Sequence, residues 1–134
     1  MCLHVSSNSD NPEDYTNVDV AACDGSDRQK WHLSAKGEII HLPSGKCLDA
    51  DGNNDNEVEL YSCFDVAWQK WELRGKTLRN RGLGRCLDIK NCPGDNFLSI
   101  QNQLGISDGN CDGGTDIWVY ECYGGENQNW EWDI

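Results

Sequence analysis

Apolar and polar residues alternate along three short segments of this chain, and each segment ends at a cysteine. They are residues 18–22 before Cys23, residues 58–62 before Cys63 and residues 117–121 before Cys122. Alternation with a period of two predicts a strand with one buried face. Gly, Asn, Asp and Pro clusters separate the segments, and no amphipathic stretch is long enough to predict a dominant helix. The pattern therefore predicts an all-β chain.

These segments belong to a sequence repeat. Each unit opens with a Cys-Leu motif, and six residues after its second cysteine it carries a Gln-x-Trp motif. The opening motifs are Cys2-Leu3-His4, Cys47-Leu48-Asp49 and Cys86-Leu87-Asp88, and the later motifs begin at Gln29, Gln69 and Gln128. Two motifs that recur three times in register predict a repeat architecture.

Each unit has about four strands, since residues 37–42 and 76–80 also have strand character. Three such units around one core predict a closed barrel capped by hairpins, which is a β-trefoil. We expect a single domain over residues 1–134, with repeats at about 1–45, 46–84 and 85–134. The third repeat is longer because of an insertion at residues 91–114.

Eight cysteines in 134 residues indicate a disulfide framework and hence a secreted protein. Counting alone does not fix the connectivity, but the repeat predicts three equivalent bonds and a fourth within the insertion. The predicted pairs are Cys2–Cys23, Cys47–Cys63, Cys86–Cys122 and Cys92–Cys111. Each bond is expected to contribute about 2–4 kcal/mol.

The formal net charge of −12 disfavours nucleic acid and anionic lipid surfaces as partners. Membrane insertion is not expected, because no apolar run approaches the roughly 20 residues that span a bilayer. Paired C-x-x-C motifs for zinc are missing. Residues 49–55 faintly resemble a calcium loop, but Asn54 and Leu60 replace its glycine and its closing carboxylate. We therefore expect no metal and no cofactor.

The combination of Cys-Leu-Asp, an aromatic residue two before the second cysteine, and Gln-x-Trp resembles the ricin-type (R-type, QxW) β-trefoil lectins and carbohydrate-binding modules. It is complete in the second and third repeats and partial in the first. The resemblance implies one shallow sugar pocket per repeat, usually for galactose or N-acetylgalactosamine and sometimes for xylan. It also implies that Trp31, Trp71 and Trp130 are core residues, as the large area of a buried indole favours independently.

A sugar pocket needs a carboxylate for hydroxyl groups, an aromatic face for ring hydrogens, and an amide. The third repeat offers all three. By position its candidates are Asp88 as carboxylate, Tyr120 as stacking platform with Trp118 on the same strand face, and Asn127 as amide beside Gln128. Gln128 and its equivalents have two open roles, either holding the local turn or contacting the sugar or the pocket aspartate.

The second repeat is the weaker candidate. Its set is Asp49, Glu59, Tyr61, Trp68 and Gln69, in which Trp68 replaces the amide of the third repeat. The first repeat has His4 at the aspartate position and Ala21 at the aromatic position. We therefore predict that the first repeat binds no sugar.

Two regions leave alternatives open. The insertion is either a surface excursion or an extension of the third pocket through Asn96, Phe97, Gln101 or Asn102. Cys2 follows Met1 directly, so we expect one barrel strand to come from upstream residues, another segment or another chain. A homo-oligomer or a companion domain is consistent with that expectation.

Catalysis is not expected, because His4, His32 and His41 lie beside no nucleophile motif and no carboxylates are spaced as an acid–base pair. The sequence thus predicts a lectin whose partners are glycans or glycoproteins. The alternatives are a xylan-type polysaccharide-binding module of a larger protein, or a trefoil protease inhibitor or interaction domain that uses the segment between Cys92 and Cys111.

Overall fold

The computed structural model describes residues 2–7, 9, 11–50, 57–89, 115–122, 128 and 130. These residues form ten strands, and the predicted all-β class is confirmed. The strands are β1 (Cys2–Val5), β2 (Thr16–Ala21), β3 (Trp31–Leu33), β4 (Ile39–His41), β5 (Cys47–Asp49), β6 (Glu59–Tyr61), β7 (Trp71–Arg74), β8 (Thr77–Asn80), β9 (Cys86–Ile89) and β10 (Thr115–Tyr120). Short 3-10 turns at Asp27–Gln29 and Ala67–Gln69 precede β3 and β7. Within this part of the chain no helix has the length and apolar character to cross a membrane.

The strands form one sheet in the order β3-β4-β5-β6-β2-β10-β9-β8-β7, with β1 paired to β2. All pairs are antiparallel. Strand β2 joins the repeats, because Thr16 pairs with Leu60 on β6 and Val20 pairs with Thr115 on β10. The corresponding strand of each repeat therefore contacts another repeat, as expected for three units around one core.

The same register recurs in each repeat where the opening motif pairs with the following strand. On the core side the buried pairs are Leu3 with Val20, Leu48 with Leu60, and Leu87 with Val119. Side chains alternate across a strand, so the next pair lies on the other face. Those pairs are His4 with Asp19, Asp49 with Glu59, and Asp88 with Trp118.

The three Gln-x-Trp tryptophans are buried in the core, which confirms the prediction for Trp31, Trp71 and Trp130. Each indole Nε1 also donates a hydrogen bond to the main-chain oxygen of the leucine in an opening motif. The acceptors are Leu3 at 3.0 Å, Leu48 at 3.0 Å and Leu87 at 2.9 Å. An indole buried in this way contributes about 4–6 kcal/mol by area and leaves no unpaired donor.

Main-chain hydrogen bonds fasten successive repeats at their hairpins. The N–H of Trp71 donates to Gly37 O at 2.7 Å, and the N–H of Trp130 donates to Lys76 O at 2.6 Å. Gly37 has a φ of +87°, and a Cβ atom there would lie 2.9 Å from Trp71 O. Only glycine fits this junction without displacing the main chain.

Three predicted disulfides are confirmed: Cys2–Cys23, Cys47–Cys63 and Cys86–Cys122. Each connects an opening motif to the end of the strand that pairs with it, so each closes one repeat. The predicted Cys92–Cys111 bond lies outside the described residues, as do the insertion at 91–114 and its candidates Asn96, Phe97, Gln101 and Asn102.

Candidate functional site

The carboxylate of Asp88 in the third repeat is held by two side-chain donors. Asp88 lies on β9 opposite Trp118 on β10 and is only 2% exposed. Its Oδ1 accepts a hydrogen bond from Trp118 Nε1 at 3.0 Å, and its Oδ2 accepts one from Gln128 Nε2 at 2.9 Å. The carboxylate is therefore fixed in orientation before any ligand arrives.

Two aromatic rings stand beside this carboxylate. Trp118 and Tyr120 project from the same face of β10 because they are two residues apart. Their rings are stacked, with centroids 5.1 Å apart and an interplanar angle of 20°. Tyr120 is 43% exposed, so the pair presents a flat apolar surface to solvent next to a hydrogen-bond acceptor.

Burial raises the pKa of Asp88, and the hydrogen bonds from Gln128 and Trp118 oppose that rise. The net pKa lies above the ordinary value of 3.8. An ionised carboxylate accepts hydrogen bonds and donates none, so this group has the chemistry that a hydroxyl donor needs.

Gln128 is buried beneath the carboxylate. Besides its bond to Asp88, its Nε2 donates to Glu121 O at 2.9 Å. The amide thus both holds the strand end and positions the aspartate, so the two roles that the sequence left open are combined. Asn127, predicted as the amide of this pocket, lies outside the described residues.

The second repeat has the same buried support. Asp49 is buried opposite Glu59, and its Oδ2 accepts from Gln69 Nε2 at 2.9 Å. That amide also donates to Ser62 O at 3.0 Å, and its Oε1 accepts from Phe64 N at 3.1 Å. The pairing of aspartate with glutamine is therefore common to the second and third repeats.

Aromatic rings surround Tyr61, the predicted platform of the second repeat. Tyr15 makes an edge contact with Tyr61 at a centroid distance of 5.0 Å, and Phe64 makes another at 5.4 Å. Trp68 lies beyond Phe64 at 6.4 Å. The sequence predicted Tyr61 and Trp68 at this place, whereas the structure adds Tyr15 and Phe64.

The first repeat differs at the corresponding position. His4 replaces the aspartate, and its Nδ1 lies 2.9 Å from Asp19 Oδ1. Ser6 Oγ donates to the other oxygen of Asp19 at 2.7 Å. Gln29 donates to Ala22 O at 2.8 Å and accepts from Asp24 N at 2.9 Å. In this repeat the carboxylate is therefore that of Asp19 on β2, opposite His4, and it is bonded to His4 and Ser6. Alanine, Ala21, occupies the position of the aromatic residue.

The family model of the ricin-type beta-trefoil lectin domain matches residues 1–104. The chain belongs to this family. Among curated proteins, no sequence gives a significant match. Solved structures agree with the trefoil: the designed threefold-symmetric protein ThreeFoil shares 26% identity at a TM-score of 0.70, covering 96% of this chain and 87% of its own.

Two natural lectins show the same fold as this ricin-type trefoil. The C-terminal half of an earthworm R-type lectin, solved with GalNAc, has 18% identity and a TM-score of 0.68, with 96% of this chain and 85% of that chain covered. The β-trefoil lectin of the Vibrio vulnificus hemolysin/cytolysin, solved with N-acetyl-D-lactosamine, has 22% identity and a TM-score of 0.65, with 97% and 82% covered. The predicted family and fold class are thereby confirmed.

One cluster of potential metal ligands lies in the described part of this ricin-type trefoil. Among the described residues, one group brings three ligand-type side chains together: Glu38, Cys47 and Cys63. The two sulfurs are joined in a disulfide, so neither offers the thiolate that a metal requires. Residues 51–55 of the faint calcium-type pattern lie outside the described residues.

Proposed function

We propose that this protein is a lectin that binds galactose- or N-acetylgalactosamine-type glycans and leaves them chemically unchanged. The main pocket is in the third repeat and consists of Asp88, Trp118, Tyr120, Asn127 and Gln128. One observation carries the proposal: a buried carboxylate, fixed by two donors, lies beside a stacked aromatic pair whose tyrosine is exposed.

The chemistry of a pyranose suits this arrangement. Asp88 accepts hydrogen bonds from neighbouring hydroxyl groups, and Tyr120 covers the face of the sugar that carries ring hydrogens. Gln128 contacts the carboxylate from below, so in the proposed pocket it positions Asp88 without touching the sugar. A shallow, hydrated pocket of this kind gives a dissociation constant on the order of 0.1–1 mM for one sugar.

The second pocket of the proposal consists of Asp49, Glu59, Tyr61, Trp68 and Gln69. Its support is the same buried contact between an aspartate and a glutamine amide. By sequence position Trp68 replaces the amide Asn127 of the third repeat, so we expect weaker binding or a different sugar preference. The first repeat binds no sugar in this proposal, because His4 stands at the aspartate position and Ala21 at the position of the aromatic platform.

Glycoproteins outside the cell are the natural partners for such pockets, and three disulfides are compatible with secretion. Weak pockets become useful through multivalency, since linked sites raise apparent affinity about 10²- to 10⁴-fold. Two pockets on one chain, a homo-oligomer or a companion domain would each supply that multivalency. The ligands found with the earthworm and Vibrio lectins make galactose-type sugars the first probes to use.

The proposal is tested by titrating the purified chain with methyl galactoside, N-acetylgalactosamine, methyl mannoside and xylohexaose, each with and without EDTA. Asp88→Asn keeps the shape of the side chain but removes the charged acceptor, so galactoside affinity should fall about 10- to 100-fold. The matched variant Asp49→Asn should leave most of the binding in place. A greater loss in Asp49→Asn would move the main site to the second repeat.

Other outcomes reject the proposal in part or completely. Preference for xylohexaose would assign the chain to polysaccharide attachment and remove the galactose specificity. If the folded protein bound none of the four sugars, the lectin function would be excluded and the interaction-domain alternative would take its place. Binding that disappears with EDTA would contradict the metal-free pocket.

A further inference from the structure

Four aromatic side chains follow one another along the edge of the second repeat, and we call them the aromatic arc. Its members are Tyr15, Tyr61, Phe64 and Trp68, each in ring contact with the next. Tyr15 is 62% exposed, Phe64 50% and Trp68 38%. The arc extends beyond the second pocket proposed above, because that pocket includes only two of the four rings, Tyr61 and Trp68.

Tyr15 comes from the first repeat and is fixed to the second by hydrogen bonds. Its N–H donates to Leu60 O at 2.8 Å. The preceding carboxylate, Asp14 Oδ1, accepts from Ser62 N at 2.8 Å, from Ser62 Oγ at 2.9 Å and from Lys46 Nζ at 2.8 Å. These contacts hold the main chain at Tyr15 directly against the strand that carries Tyr61.

The main chain at Tyr15 also adopts an unfavourable conformation. Its φ is +69°, in the left-handed region that bulky side chains rarely enter. A turn accounts for the sign of this φ, because the N–H of Thr16 donates to Glu13 O at 3.2 Å and Tyr15 is the third residue of that turn. Most of the ring nevertheless faces solvent. Local strain that surrounding contacts maintain is often found at ligand-binding sites.

We propose that Tyr15 and Phe64 extend the second pocket into a platform for a neutral oligosaccharide of two or more sugar rings. The inference rests on the proposed lectin function and deepens it. Neighbouring rings of the arc meet edge to face, with interplanar angles of 62° to 72°. The three exposed rings, Tyr15, Phe64 and Trp68, therefore offer separate apolar contacts to successive sugars. The net charge of −12 disfavours acidic glycans, so the occupant is an uncharged chain.

The second repeat is examined alone by working in an Asp88→Asn background, in which the third pocket is disabled. Methyl galactoside, N-acetyllactosamine and a linear neutral tetrasaccharide with terminal galactose are titrated, with binding followed by NMR chemical shifts. The tetrasaccharide should bind more tightly than the monosaccharide. Tyr15→Asn, which removes the ring but suits a positive φ, should weaken tetrasaccharide binding about 3- to 10-fold.

Three further variants make the test specific. Phe64→Ser should reproduce the loss from the other side of Tyr61, and Tyr15→Phe should retain tetrasaccharide binding because the ring remains. Leu42→Ser is the matched control, since Leu42 is also an exposed apolar side chain but lies outside the arc. Monosaccharide affinity should change less than about twofold in all of these variants, because they remove only contacts to the second and later sugar rings.

Equal affinity of the Asp88→Asn protein for monosaccharide and tetrasaccharide would overturn the inference and leave the lectin function intact. An unchanged tetrasaccharide affinity in both Tyr15→Asn and Phe64→Ser would overturn it as well, and would point to a protein partner for the arc. If neither the unmodified protein nor the Asp88→Asn background bound any sugar, the proposed function itself would fail.

Discussion

The buried contact between Gln69 and Asp49 gives a sharp test of how the pocket carboxylates are supported. Gln69 Nε2 donates to Asp49 Oδ2 at 2.9 Å and to Ser62 O at 3.0 Å. Replacing the amide by a carboxyl group of the same shape, Gln69→Glu, removes both donations. It also places two acidic groups against each other in a buried site.

The expected loss of stability follows from these contacts. Loss of the bond to Ser62 costs about 1 kcal/mol, and loss of the bond to a charged acceptor costs about 1.5–3 kcal/mol. Two like charges about 4 Å apart repel by roughly 4 kcal/mol at an effective dielectric constant of 20, although protonation of one group limits this penalty. We therefore expect Gln69→Glu to lower the free energy of unfolding by about 4–6 kcal/mol at pH 7.

Gln29→Glu is the matched control within the same chain. Gln29 is also buried and donates to a main-chain oxygen, that of Ala22, but His4 occupies the aspartate position of its repeat. Its loss should be about 2–3 kcal/mol, from one hydrogen bond and the burial of one carboxyl group. The difference between the two variants therefore measures the contact with Asp49.

The assay is urea unfolding followed by tryptophan fluorescence at pH 7 and pH 5. The introduced carboxyl group has a raised pKa in the folded state, so Gln69→Glu should regain stability relative to the unmodified protein as the pH falls. Equal losses in Gln69→Glu and Gln29→Glu at pH 7, or a Gln69→Glu loss independent of pH, would refute this account of the buried pair.

Two further predictions concern the hairpin junction and the third pocket. Gly37→Ala should lower the free energy of unfolding by about 2–4 kcal/mol, because the new Cβ would lie 2.9 Å from a main-chain oxygen. The control Gly45→Ala should cost only about 1 kcal/mol, since Gly45 has a similar positive φ but open space around it. Equal losses in urea unfolding would exclude the steric explanation. Burial raises the pKa of Asp88, so galactoside affinity should fall as the pH is lowered through that raised pKa. Over the same pH range the protein should lose the stability penalty of burying an ionised carboxylate. A flat affinity profile down to pH 3.8, the ordinary value that the raised pKa exceeds, would contradict the role of Asp88 as ionised acceptor.

The β-trefoil was predictable from the sequence because the determinants of its symmetry are local. The spacing between cysteine and Gln-x-Trp is the same in all three repeats, and it places each tryptophan where its indole reaches an opening-motif leucine. The three confirmed disulfides follow from the same register. Once the repeat is recognised, the core residues follow from the period-two alternation of each strand.

The aromatic arc was not predictable in the same way. Tyr15 directly precedes β2 and belongs to no sequence motif. Its contact with Tyr61 depends on how β2 lies against β6. Pairing between strands that are distant in sequence is a tertiary property. Phe64 follows Cys63 directly, but the sequence does not tell whether its ring turns toward Tyr61 or toward solvent.

A comparison of the three repeats separates what the fold needs from what the pocket needs. In every repeat the glutamine amide donates to the main-chain oxygen just before the second cysteine, at Ala22, Ser62 and Glu121. Only in the second and third repeats does it also donate to an aspartate. The first bond occurs three times because each repeat requires that turn, whereas the second occurs only in the two repeats whose opening motif carries an aspartate, which are the repeats of the two proposed pockets. We therefore expect substitutions of the glutamines to affect stability in all three repeats, and substitutions of the aspartates to affect binding in two.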